Sequence, residues 1–232
     1  MGVERRIKPL LIVAYLLCDH QAIWARIASL GVSPALAMYL MLLAILSLAL
    51  ILTGFIRNAP VRIGIALALS VASVFQQSIE WSTDGVLTYD GFINMLAARG
   101  NAAEAYAQHG GVLHRTVPAA LLLFAGLALS PRGSRLPGWI AGVAPPAALG
   151  LLGVMLYLRG GEGAGALPAA WTPVAYAALA GVEDLATEDG PRRDVEIPRI
   201  AEPVGRDVVL IVDESIAGNY LDINDPHGVP TG

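Results

Sequence analysis

Asp213 and Glu214 stand side by side at the end of Val208 to Val212, a run of five aliphatic residues opened by Asp207. A short continuous aliphatic run is the pattern of a strand buried on both faces, as in a parallel sheet. In open α/β sheets, ligands gather at the carboxyl ends of such strands. Two carboxylates there are well placed to hold a hard or borderline divalent cation. Successive residues of a strand point to opposite sides, so both acids reach one ion only if the backbone turns sharply between them. The plain alternative is a strand followed by a solvated acidic turn.

A strand buried on both faces needs neighbours on both edges. The sequence offers no second run of this kind outside segments apolar enough to cross a membrane, and it stops eighteen residues after Glu214. The expectation is a membrane region followed by the first strand of a truncated α/β domain, residues 207–232.

Composition agrees with the membrane part. The chain has 232 residues, a mean hydropathy of +0.59 and 15% charged residues, against about 25% in soluble domains. Lys8 is its one lysine. The acids concentrate in two tracts, Glu80 to Glu104 and Glu162 to Asp225. No basic stripe is interleaved with aromatics, which argues against a nucleic-acid partner. Cys18, the one cysteine, makes no internal disulfide.

A membrane crossing takes roughly 20 apolar residues. Pro34 to Ile56 and Trp139 to Leu158 meet that length without a charge. Ile63 to Ser78 is slightly short. Val117 to Leu129 is shorter, and extends backwards only if His114 and Arg115 snorkel to the interface. The first segment is apolar from Ile7 to Cys18, then meets Asp19, His20 and Gln21 before Trp24. It reads as a span with a polar end at the interface. A cleaved signal peptide is the rival, but no small-residue cleavage site follows.

Arg5, Arg6 and Lys8 precede the first span, Arg57 and Arg62 follow the second, and Arg132 and Arg135 follow the fourth. The positive-inside rule then places the N-terminus in the cytoplasm and everything after Leu158 outside, in the periplasm of a bacterial inner membrane. Ala164 to Val182 is uncharged and is the one candidate for a sixth span. Its Ala and Gly content and the interruptions at Pro168 and Pro173 favour a helix lying on the membrane surface from about Pro173. Three prolines and many charges in Glu183 to Gly205 mark a linker. The expected domains are therefore 1–160, transmembrane; 161–206, surface helix and linker; and 207–232.

Residues 79–116 form the one long connection between spans. Within it, Tyr89 to Gln108 suggests an amphipathic helix pair, with Phe92, Met95 and Leu96 on one face and a break near Gly100. It packs on the bundle, or it presents Asn94, Arg99 and Glu104 to a lipid headgroup.

Together these features resemble the membrane-anchored phosphoethanolamine transferases that modify lipid A, within the sulfatase and alkaline-phosphatase-like superfamily. The resemblance rests on five N-terminal spans, an outer helical loop with the Glu104-Ala105 pair, a linker, and the strand motif VVLIVDES, Val208 to Ser215. The family motif is similar to VVLIVGES or VVLIVGET, and its glutamate, matched by Glu214, is a zinc ligand. Asp213 replaces the family glycine. Paired acids at this point bind metal in sulfatase relatives, which implies Asp213 as a second ligand. Glu104 matches the loop glutamate of the donor-lipid region and is implied in substrate binding. The usual arginine after the glutamate is absent, with Ile216-Ala217 in its place, and Leu96 and Gly100 stand where the family has Asn and Thr.

The resemblance implies a two-step transfer through a phosphothreonine lying downstream of this chain, with membrane lipids as donor and acceptor. Thr231 lies too close to Glu214 to be that threonine, and Ser215 and His227 take no role. No catalytic residue is then expected inside the chain. A phosphoglycerol transferase, another sulfatase-like hydrolase and a non-catalytic polytopic membrane protein are the alternatives. Against the last, the spans contain almost no ionisable residues.

Overall fold

The computed structural model describes residues 4–83, 85–97, 110–131 and 136–186. These belong to the unit Met1–Glu188; a second unit, Asp189–Gly232, contains none of them. The described residues form a mainly α bundle: α1 (Glu4–Cys18), α2 (His20–Leu30), α3 (Pro34–Thr53), α4 (Ala59–Thr83), α5 (Tyr89–Ala97), α6 (Leu113–Ala128), α7 (Gly138–Leu158) and α8 (Thr172–Ala186). A 3-10 turn at Gly110–Val112 leads into α6. The α/β strand expected at 207–212 lies outside the described residues.

Four helical segments are long and apolar enough to cross a membrane: Pro34–Thr53, Ala59–Thr83, Gly110–Ala128 and Gly138–Leu158. A fifth arises if the pair α1 and α2, bent by 59°, counts as one crossing. The bend falls at Asp19, the residue that interrupts the first apolar segment. Leu10, Met41, Leu67, Leu121 and Val154 point outward from these helices and are exposed. In water such a surface would invite aggregation; in lipid it is the expected exterior. Trp24, Trp81 and Tyr157 are exposed at one end of the bundle and Trp139 at the other, the placement of interfacial aromatic belts. Arg115 enters the fourth crossing with its guanidinium 5.1 Å from the centroid of the Trp81 ring. That contact keeps the charge at the rim while the helix extends backwards past it.

The basic end is closed by two buried cations. Lys8 donates from Nζ to the carbonyls of Gly54 (2.5 Å), Leu127 (3.4 Å) and Leu129. Arg62 donates to Ala128 (3.1 Å), Ile56 (2.9 Å) and Arg57 (3.4 Å). These acceptors lie in or just beyond the last turns of α3 and α6, where helices leave carbonyls without an internal partner. Cations at helix C-termini also complement the helix dipole. Gly126 lets α1 and α6 approach closely, since a Cβ there would stand 2.7 Å from Ile12 Cγ1.

A helix begins at Thr172, next to the expected Pro173, but the residues before it do not run along the outside. Gly161 (φ +86°) and Gly163 (φ +98°) reverse the chain, and residues 164–171 run back into the bundle. Tyr39 donates to the carbonyl of Ala166 at 2.8 Å, and Trp171 Nε1 donates to the carbonyl of Leu46 at 3.1 Å. Leu46 lies about 18 Å along α3 from Pro34, at 1.5 Å per residue. Trp171 and Ala170 are fully buried. Ala166 sits at φ +60°, a strained position for a residue with a Cβ, held by its bond to Tyr39. α8 then climbs back along α4, α5 and α7, and Tyr176 is buried while Val182 is exposed. The segment enters and leaves by the same end of the bundle. Irregular backbone at such depth is tolerated where protein surrounds it.

Candidate functional site

Asp213, Glu214 and Glu104, the residues singled out by sequence, lie outside the described residues. Among the described residues there is no group of three or more His, Cys, Asp and Glu able to hold a metal ion. Of the outer loop, α5 is described, and it packs on the bundle. Its Phe92 is buried, 6.0 Å from Phe75 and 5.7 Å from Tyr176 between ring centroids. Asn94 and Leu96 are exposed.

What the structure brings together instead is a cavity at the end of the bundle opposite Lys8. It is an open cleft of about 520 Å³, lined by Arg26, Val86, Leu87, Thr88, Arg159, Glu162, the glycine-rich turn 163–165 and Tyr176. Its walls follow from the local fold. The bend at Asp19 swings α2 across this end and carries Arg26 to the rim. Gly161 and Gly163 form the turn that sets Arg159 and Glu162 beside it. Tyr176 fixes the opposite wall, its hydroxyl shared between the carbonyls of Leu87 (3.2 Å) and Gly161 (3.1 Å). Arg159 and Glu162 are exposed, whereas Arg26 is half-buried and its Nε is buried without a partner. Two guanidinium groups and one carboxylate suit an anionic or zwitterionic group.

Below the cavity floor a polar seam runs into the bundle. Tyr15 and Ser73 share a hydrogen bond of 2.8 Å. Gln77 Nε2 donates to both oxygens of Asp19, at 3.0 and 3.1 Å, and Gln76 Nε2 donates to Glu80 Oε1 at 2.9 Å.

Sequence reasoning passed over Arg26, Arg159, Glu162 and Tyr176, because nothing in their spacing joins α2 to the turn after α7. It also passed over the bonds from Gln77 to Asp19 and from Gln76 to Glu80, although a signal existed. Ser70, Ser73, Gln77 and Glu80 recur at helical spacing inside an apolar segment, which marks a polar stripe facing the interior. No protein-family model, no curated protein and no solved structure matches the chain.

Proposed function

We propose that this chain is the membrane-embedded portion of a metal-dependent transferase that moves phosphoethanolamine, or a related phospho-headgroup, from a phospholipid to a lipid or glycan acceptor. The observation that carries the reading is the cavity between Arg26, Arg159, Glu162 and Tyr176. Its two guanidinium groups match a phosphate diester and its carboxylate matches an ammonium. Its position at one end of an apolar bundle leaves acyl chains free to lie along the exterior. The motif VVLIVDES supports the same reading, with Glu214 and Asp213 as zinc ligands and Glu104 near the donor lipid. The proposed setting is a bacterial inner membrane with the N-terminus in the cytoplasm and the cavity on the periplasmic side. Zinc there would lower the nucleophile's pKa and neutralise charge on the phosphate oxygens.

The test is lipid retention by the purified protein in nanodiscs or by native mass spectrometry. Phosphatidylethanolamine should be enriched over a neutral diacylglycerol. Arg159→Gln should weaken binding about tenfold or more, since a hydrogen bond to a charged group contributes about 1.5–3 kcal/mol. Retention of both lipids alike, unchanged in Arg159→Gln and Arg26→Gln, would remove the basis of the reading. A non-catalytic polytopic membrane protein is the second reading.

A further inference from the structure

We propose that the glycine-rich turn at 163–165 binds a phosphate group through its main-chain N–H groups, with the guanidinium groups of Arg159 and Arg26 as its side-chain partners. The inference rests on the headgroup reading of the cleft and deepens it: phosphate is the part of the ligand that is held, and main chain is what holds it. Among the described residues, the N–H groups of Gly163, Ala164, Gly165 and Ala166 have no acceptor. Their neighbours are paired, Glu162 N–H with the carbonyl of Arg159 (3.3 Å) and Leu167 N–H with that of Ala164 (3.1 Å). Gly163, Ala164 and Gly165 all line the cleft. Ala164 is buried, with 2% of its surface exposed. A buried N–H group is nearly always paired, so its acceptor has to come from the cleft.

Arg26 supplies an independent sign, since its Nε is also buried without a partner and lines the same cleft. Arg159 lies against the turn itself: a Cβ on Gly163 would stand 2.7 Å from its Nη1. Gly163, at φ +98°, leaves the room that the guanidinium occupies. The start of the turn is equally fixed. A Cβ on Gly161 would stand 2.4 Å from Tyr89 Cβ, and the Gly161 carbonyl accepts from Tyr176 at 3.1 Å. Successive free N–H groups in such turns form concave anion sites, the device by which glycine-rich loops cradle phosphates. The anionic oxygens of a phosphate can accept from the guanidinium fork and from the main chain together. Glu162, the one carboxylate of the cleft, is exposed, and two guanidinium groups outweigh it. Main-chain donors read the phosphate and not the group esterified to it, so a phospholipid and free phosphate share the same chemistry here.

The experiment uses the whole chain in detergent, with inorganic phosphate, phosphatidylethanolamine and diacylglycerol as separate probes. Hydrogen–deuterium exchange of a peptide covering 160–167 should slow with inorganic phosphate or with phosphatidylethanolamine. Unchanged exchange with both at saturating concentration would overturn the cradle. Slowing by the lipid and not by inorganic phosphate makes the lipid the natural source. Two variants then isolate one donor. Gly165 follows Ala164 in the turn closed by Leu167 and precedes Ala166 at φ +60°, the type II pattern that accepts proline at this position. A Cβ at 165 meets Val86 Cγ1 at 3.1 Å, so Gly165→Pro and Gly165→Ala crowd Val86 alike, and proline alone lacks the N–H. Gly165→Pro should bind phosphate about tenfold more weakly than Gly165→Ala. Equal affinity in the two variants overturns the cradle, and the headgroup reading survives if phosphatidylethanolamine is still preferred over diacylglycerol. A tenfold difference for inorganic phosphate without any lipid preference keeps the cradle and removes the headgroup reading.

Discussion

Trp171→Ala removes the deepest side chain of the segment that returns into the bundle. Trp171 is fully buried, and its indole donates to Leu46 at 3.1 Å. A buried tryptophan covers about 150–250 Å², and truncating one in a packed core costs about 3–5 kcal/mol. The hydrogen bond is a small part of that. The Leu46 carbonyl lies within α3 and retains its helical acceptor role, so the indole bond contributes about 0.5–1.5 kcal/mol. Lipid removes the water-driven share of the packing energy, but the cavity left beside Leu46 keeps its cost. Trp171→Phe should therefore lose about 1 kcal/mol and Trp171→Ala about 3 kcal/mol or more. The assay is equilibrium unfolding in mixed micelles of rising dodecyl sulfate content, followed by helical circular dichroism. A loss below about 1 kcal/mol in Trp171→Ala, equal to that in Trp171→Phe, would mean that residues 164–171 do not pack inside the bundle.

Lys8→Met keeps the aliphatic stem and deletes the three bonds to Gly54, Leu127 and Leu129; the same unfolding assay should show a loss of about 2–4 kcal/mol, the bonds being partly offset by relief from burying the charge. A reporter that is active only outside the cytoplasm, fused after Gly205, should be active, because the returning segment enters and leaves by one end; activity of a cytoplasmic reporter instead would make Ala164 to Val182 a full crossing. Glu104→Ala should lower headgroup transfer while protein levels hold, and unchanged transfer would leave Glu104 an ordinary surface acid.

The crossings were legible in the sequence because hydropathy reports what lipid demands of each residue. Ile63 to Ser78 extends to α4 and Trp139 to Leu158 gains one residue, as helices cap beyond their apolar cores. Proline was the weaker guide. Pro168 and Pro173 argued against depth, yet Pro145 and Pro146 lie inside α7 and residues 164–171 reach deep into the bundle. What placed that segment was Trp171 and Tyr39 meeting carbonyls over a hundred residues away in sequence, and no local pattern encodes such a meeting. The cavity was hidden for the same reason. Nothing in the sequence joins Arg26 to Arg159; the bend at Asp19 and the turn at Gly161 bring them to one rim. Asp19 and Glu80, half-buried near the ends of their helices, are held there by Gln77 and Gln76.

The central claim is headgroup transfer, and one measurement meets it directly. Membranes containing the protein, expressed from its own gene, are supplied with phosphatidylethanolamine labelled in the ethanolamine. Label should pass to a second lipid or glycan, leaving diacylglycerol. Glu214→Ala or zinc chelation should abolish the passage, and Arg159→Gln should slow it about tenfold or more. Label that stays on phosphatidylethanolamine in the wild type, or moves equally well in Glu214→Ala, would contradict the account.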